Sequence, residues 1–196
     1  MARPRTVSDD DILEATARVV AREGALRFTL AQVGEEAGIS APGLVQRFGS
    51  KRRLLLALSE RSRRAPGDAL ARARAAHDRV LDALVAGLAE TMSPLETPES
   101  VARSLEYLGL DIADPEFHAH ALAFFQALRG EVRRALADAV AQKELKDVDL
   151  DALARAVEVA FNGSVITWAV HRHGTLRDAL RHDLALVLAP HRRGRR

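Results

Sequence analysis

Apolar positions in this chain recur at three- and four-residue intervals, broken by short polar or glycine-bearing stretches, so the pattern predicts a succession of helices. Ser8 stands before Asp9, Asp10 and Asp11, where it can cap a first helix whose N-terminal dipole favours acids. Ile12, Ala15, Val19 and Val20 make that helix's inward stripe, and Gly24 stops it. Thr29 and Gln32 have capping-box spacing, and Leu30, Val33 and Ala37 supply the buried face of a helix scarcely two turns long. Gly38 permits the positive φ of a tight turn, and Ser40 caps a second short helix that carries Pro42 in its first turn. Leu44 and Phe48 point back to the core, Gly49 ends the helix, and Ser50 caps the next.

That fourth helix starts at Lys51, turns Leu54, Leu55 and Leu58 inward, and is expected to run on past Pro66 into a more polar stretch at 67–77. Further helices are expected over about 78–92, 98–110, 115–145, 149–173 and 175–189. The last two carry clean stripes: Leu153, Val157, Ala160, Val165 and Trp168 or Ala169 on one, Leu176, Leu180, Leu184, Val187 and Leu188 on the other. Such stripes need a partner, either each other or a second subunit. Residues from His191 onward read as a frayed tail.

Composition agrees with helices throughout. Of 196 residues 47% are apolar, enough for a real core and too many for a disordered chain, while aromatics make up only 4%. There is no cysteine, which removes disulfides, thiolate metal sites and cysteine nucleophiles together. No eighteen consecutive apolar residues occur, and the basic start of the chain is not followed by an apolar run, so a soluble, cytoplasmic protein without a membrane partner is expected. The net charge of +2 is unevenly spread: residues 1–64 hold 12 Lys/Arg against 8 Asp/Glu (+4), and residues 65–196 hold 17 against 19 (−2). A basic head on a nearly neutral body suits contact with nucleic acid, although solvated helix faces account for the same arginines equally well.

Two short helices joined by a glycine turn and braced by a longer one make a helix-turn-helix, whose second helix, here residues 40–47, lies in the major groove. The residues Ile12-Leu13-Glu14-Ala15, then Gly24, then the run from Thr29 to Ser40, then Gly43 to Lys51 resemble the TetR family of transcriptional regulators. That resemblance is specific over residues 8–58; beyond them it is one of length and helicity. It implies an all-α chain with an N-terminal three-helix helix-turn-helix DNA-binding domain (1–58) and a helical ligand-binding and dimerisation domain (59–196). It also implies a homodimer through the two C-terminal helices, double-stranded operator DNA as a partner, and release from the operator by a small apolar or amphipathic effector.

Beside the resemblance, the residues suggest roles of their own. Thr29, Arg47 and Lys51 can donate to phosphates, and Gln46 can reach a base edge or a phosphate. Ser40, Ala41, Pro42 and Gly43 would approach the bases, with Ala41 and Pro42 against thymine methyls. Arg3 and Arg5 would form an arm on the backbone or minor groove. Two departures from the family pattern stand out: Val45 occupies the place of a usual tyrosine, and Arg52 replaces a frequent acid. The phosphate anchor would then shift to Lys51, Arg52 and Arg53, unless the last two belong to a solvated face.

A pocket between the middle helices is expected to draw on Leu88, Met92, Tyr107, Phe117, Phe124, Phe125, Asn162 and Trp168, each of which plain core packing would also explain. Asn162 among Val159, Phe161 and Val165 must find a partner if buried. His118 with His120, and His171 with His173, point to opposite sides of a helix and do not chelate, so no metal is expected. No phosphate loop or nucleophile elbow occurs, and neither a cofactor nor an enzymatic activity is expected. A helical small-molecule-binding protein with a degenerate head, suggested by Val45, is the main alternative, and a helical enzyme a remote one.

Overall fold

The computed structural model describes residues 7–193, and the all-α expectation holds over them: helices joined by turns, with no strand. The helices are α1 (Asp9–Glu23), α2 (Leu30–Ala37), α3 (Ala41–Phe48), α4 (Lys51–Ser62), α5 (Ala65–Ala76), α6 (Val80–Thr91), α7 (Pro98–Ala113), α8 (Pro115–Ala141), α9 (Leu150–His171) and α10 (Leu176–Leu188), closed by a 3-10 turn at Ala189–His191. Two compact units result. One comprises the described residues through Ser62 together with Ala102–Ala121; the other comprises Arg63–Val101 and the described residues from Leu122 on.

In the first unit local chemistry sets each helix start. The Ser8 hydroxyl accepts from the Asp11 amide at 3.1 Å while the Asp11 carboxylate accepts from the Ser8 amide, a capping box that satisfies two otherwise orphaned donors. Thr29 and Gln32 repeat the device at α2. Ser40 caps α3 by accepting from the Gly43 amide at 3.2 Å. The inward side chains then meet in one core, in which Ile12, Val19, Phe28, Val33, Leu44, Leu54 and Leu58 surround Phe117. Phe117 comes from the far side of the sequence, contributed by the first turn of α8.

The continuous helix expected across Pro66 is instead two helices. α4 ends at Ser62 and α5 begins at Ala65, which puts Pro66 in a first turn, where its missing amide forfeits no hydrogen bond and its ring meets no preceding turn. The supposedly polar stretch at 67–77 buries Ala69, Leu70 and Ala73.

In the second unit the two C-terminal stripes are consumed within the subunit. Leu153, Val157 and Trp168 of α9 and Leu176, Leu180, Leu184 and Leu188 of α10 all belong to a core shared with α6 and α8. What remains exposed is a different set: Val159, Ile166 and Val170 on α9, and Leu186 on α10. Val159, Gly163, Ile166 and Val170 recur at the spacing of a single helix face.

Arg79 gives α6 no side-chain cap, and the need is met from afar: the Glu144 carboxylate accepts from the Val80 and Leu81 amides at 2.8 and 3.1 Å. An acid at that position also faces the positive end of the helix dipole. The tail expected to fray is partly tied down. The Lys146 amide donates to the His191 carbonyl at 2.8 Å, the Arg193 amide to the Glu144 carbonyl at 3.0 Å, and Leu145 pairs with Arg192 as an isolated antiparallel bridge.

The turn between α2 and α3 rests on Gly34, where a Cβ would lie 2.4 Å from the Ile39 carbonyl oxygen. Gly34→Ala is therefore expected to destabilise the first unit by about 2 kcal/mol, the scale of an overpacked site where backbone itself must move. Urea unfolding followed by circular dichroism checks this, and an unchanged midpoint would show that the turn relaxes freely.

Candidate nucleic-acid interface

Because Leu44 is buried and Gly38 adopts a left-handed turn (φ 71°, ψ 33°), α3 presents a fixed face outward. Ser40, Pro42, Val45, Gln46 and Arg47 are exposed, with Ala41 and Gly43 partly so. Thr29, also exposed, opens α2 beside them in sequence order, but its hydroxyl is already committed to the Gln32 amide and side chain. The Gln46 carboxamide makes no hydrogen bond among the described residues, so both its donor and its acceptor are open for a base edge or phosphate. Val45, 45% exposed, puts an isopropyl group where a hydroxyl was the family pattern.

The cations of the motif are less free than the sequence suggests. Arg47 donates to the Val7 carbonyl at 2.6 Å and lies 3.4 Å from Asp9, which ties α3 to the start of α1. Lys51 donates to the Leu26 carbonyl at 2.8 Å and sits 4.4 Å over the Phe28 ring; partial burial there lowers its pKa from the ordinary lysine value. An ammonium has three donors, so this arrangement leaves others for a phosphate.

Arg52 corrects the expectation of a shifted phosphate anchor. Its guanidinium forks onto Asp114 at 2.6 and 2.8 Å, reaches Glu116 at 2.5 Å, and lies 5.1 Å over the Phe117 ring. The same hydrogen bonds hold the Asp114 carboxyl down to about 2. Arg53 makes no ion pair or side-chain donation among the described residues and remains available. Arg3 and Arg5, expected to form an arm, lie outside the described residues.

Elsewhere in the same unit, groups from α4, α7 and α8 form a polar cluster that no local motif announced. The Tyr107 hydroxyl is 2.5 Å from Ser59 Oγ, and burial pushes it up to about 12. His120 Nδ1 is 3.1 Å from Glu60. Asp111 is pushed up to about 6 by burial, with the His120 charge opposing part of that rise.

The aromatic and apolar residues expected to line a pocket are divided between the two units. Tyr107 and Phe117 belong to the core of the first unit, edge to face at 6.2 Å. Leu88 is buried in the core of the second unit, with Phe124 and Phe125, themselves edge to face, packed against it. Asn162 satisfies its amide on its own helix, donating to the Glu158 carbonyl at 2.9 Å. Met92 and Trp168 do share a cavity of about 420 Å3, bounded by the end of α6, the segment after it, and the connection from α9 to α10.

Residues 12–58 match the family model described as bacterial regulatory proteins, tetR family. Among solved structures, a TetR transcription regulator from Haloarcula marismortui is 17% identical with a TM-score of 0.74, covering 94% of this chain and 98% of that one. FadR from Bacillus subtilis, solved in complex with stearoyl-CoA, is 16% identical with a TM-score of 0.70, covering 93% and 98%. SmeT, the repressor of the Stenotrophomonas maltophilia multidrug efflux pump SmeDEF, is 22% identical with a TM-score of 0.68, covering 95% and 91%. No curated protein sequence matches. Residues 12–58 thus resemble the helix-turn-helix of the tetR family, and over nearly its whole length the chain has the fold of these solved TetR-family regulators.

The raised Asp111 carboxyl has a signed consequence. Its folded value of about 6 lies above the unfolded carboxylate value, so its contribution is fully present at low pH and is lost as pH rises through about 6. Asp111→Asn is expected to stabilise the protein at pH 7.5, with the gain shrinking below pH ~6 and gone below pH ~4. Thermal unfolding across that range checks it; a gain independent of pH would assign the effect to something other than titration.

Proposed function

We propose that this protein is a sequence-specific DNA-binding transcriptional regulator, a homodimeric repressor that a small apolar or amphipathic ligand releases from its operator. The observation that carries the reading is the exposed face of α3, held by a glycine turn and three side-chain caps, with Gln46 uncommitted on it and Lys51 and Arg53 opening the next helix. In this reading Ser40, Ala41, Pro42, Gly43 and Gln46 face base edges, while Thr29, Arg47, Lys51 and Arg53 position the head on phosphates. The N-terminal head reads DNA and the second unit takes the effector, with the cavity beside Met92 and Trp168 as its site. The likeness to SmeT, a repressor, and to FadR, solved with a bound acyl-CoA, supports both halves of the reading.

The exposed apolar face of α9, with Leu186 of α10, supports a four-helix dimer contact, because an apolar stripe left in water at this spacing is stabilised by a second copy of itself. Twofold symmetry then matches two recognition helices to a palindromic site. A cytoplasmic setting suits a DNA-binding protein, and no helix of the described residues is long and apolar enough to cross a membrane. One observation favours a second reading, a helical ligand-binding protein whose head no longer reads DNA: Val45 brings no phosphate donor and Arg52 is committed internally.

Binding to DNA taken from upstream of the protein's own coding region, and then to genome-wide selected DNA, at near-physiological salt with excess competitor, separates the two. A competitor-resistant complex is expected; failure on selected DNA would establish the second reading. Lys51→Ala and Arg53→Ala should each weaken all sites and lower the salt slope by about one, whereas Gln46→Ala should change site preference. Val170→Asp is expected to convert the dimer to monomer in sedimentation at micromolar concentration, and an unaltered dimer would place the interface elsewhere.

A further inference from the structure

The cavity beside Met92 and Trp168 carries more information than its size. Its apolar wall is Met92, Leu95, Trp168 and Leu176, and its lining includes two charges of opposite sign, Glu96 and Arg177. Trp168 is 7% exposed, and its indole N–H is already spent on the Gly174 carbonyl at 3.1 Å, so the ring meets a guest as an apolar surface. Among the described residues Glu96 and Arg177 pair neither with each other nor with any other group. Glu96 lies in the segment between α6 and α7, two residues before α7 begins, and Arg177 sits in the first turn of α10. Asp178 of that same turn is drawn back onto the Thr175 hydroxyl at 2.7 Å.

The Glu96 and Arg177 side chains are both exposed, so a neutral apolar guest would leave each charge to water, and a singly charged guest would pair with only one of them. A guest carrying both charges satisfies both. We propose that this cavity binds a small zwitterion with an apolar body, of the class of a free apolar amino acid or a short apolar peptide. The ammonium lies at Glu96, the carboxylate at Arg177, and the hydrocarbon against Met92, Leu95, Trp168 and Leu176. A cavity of about 420 Å3 falls within the ~300–1,000 Å3 typical of small-molecule sites. The proposal rests on the reading of this cavity as the effector site, and names the effector's chemistry.

Equilibrium dialysis of the full chain against L-phenylalanine and L-leucyl-L-phenylalanine tests it, with 3-phenylpropionate and 2-phenylethylamine as analogues lacking one charge. Emission of Trp168, the single tryptophan of the chain, gives a second readout. At least one zwitterion is expected to bind and shift that emission. Each single-charge analogue should bind about tenfold more weakly, as should the zwitterion to Glu96→Gln and to Arg177→Gln, whose exposed positions leave the fold intact. No retention of either zwitterion at millimolar concentration overturns the proposal, as does equal binding by the analogues or by the variants. Operator affinity is measured separately: a zwitterion that binds without releasing DNA upholds the site and overturns its role as the effector site.

Discussion

The close approach of Gly34 to the Ile39 carbonyl is the constraint on which the geometry of the exposed α3 face depends. Any side chain there would force α2 away from the turn, and the turn decides how α3 leaves it. With that approach in place, burying Leu44 leaves only one rotation of α3 about its axis, and Pro42, Val45 and Gln46 become the outward face by exclusion. A missing atom, a buried leucine and three capping hydroxyls together orient a helix of only eight residues, too short to be stable by its own propensity.

Electrostatics then sets what that face would offer a polyanion, in the proposed reading. Arg47, Lys51 and Arg52 each already have an acceptor inside the protein, so a phosphate does not meet bare charges. For Arg52 the internal partners are two carboxylates in a bidentate arrangement, which a phosphate does not easily outcompete. For Lys51 the partner is one carbonyl, and sharing is possible. The number of basic residues in the head therefore overstates the number of contacts it can offer, and holding these side chains in place reduces the entropy lost when a contact does form.

The head was largely legible because its signals are local. Ser8, Thr29 and Ser40 each lie three residues from the amide they cap, and Gly38 sits inside the turn it permits. The same holds for the alternation of helices and punctuation along the rest of the chain. What escaped were pairings over long sequence separations. The acids that hold Arg52 are 62 and 64 residues away, and Glu144 caps a helix 64 residues before it. Pro66 misled because periodicity continues across it, while a proline fits the start of a helix as readily as it breaks one. Aromatic character grouped Tyr107 and Phe117 with Phe124 and Phe125, yet it says only that a ring will be buried, not in which of two cores. The polar lining of the cavity was unreadable for the same reason, since Glu96 and Arg177 look like any solvated pair of surface charges until the fold sets them on one opening.

The pinning of residues 191–193 onto 144–146 bears on the order in which a ribosome can deliver this fold. The first unit needs nothing beyond Ala121, so its core can close while the chain is still being made. The second unit cannot. Its core uses Leu180, Leu184 and Leu188, and the segment bearing Glu144 gains its last backbone partners only from the stretch around His191. Synthesis therefore emits a head able to fold well before the unit that follows it, and for the time taken to translate some seventy residues at roughly 5–20 per second, the nascent chain holds a folded first unit with an apolar, unfinished second one. For an interval of several seconds the α6 and α8 core surface awaits the α9 and α10 side chains that cover it.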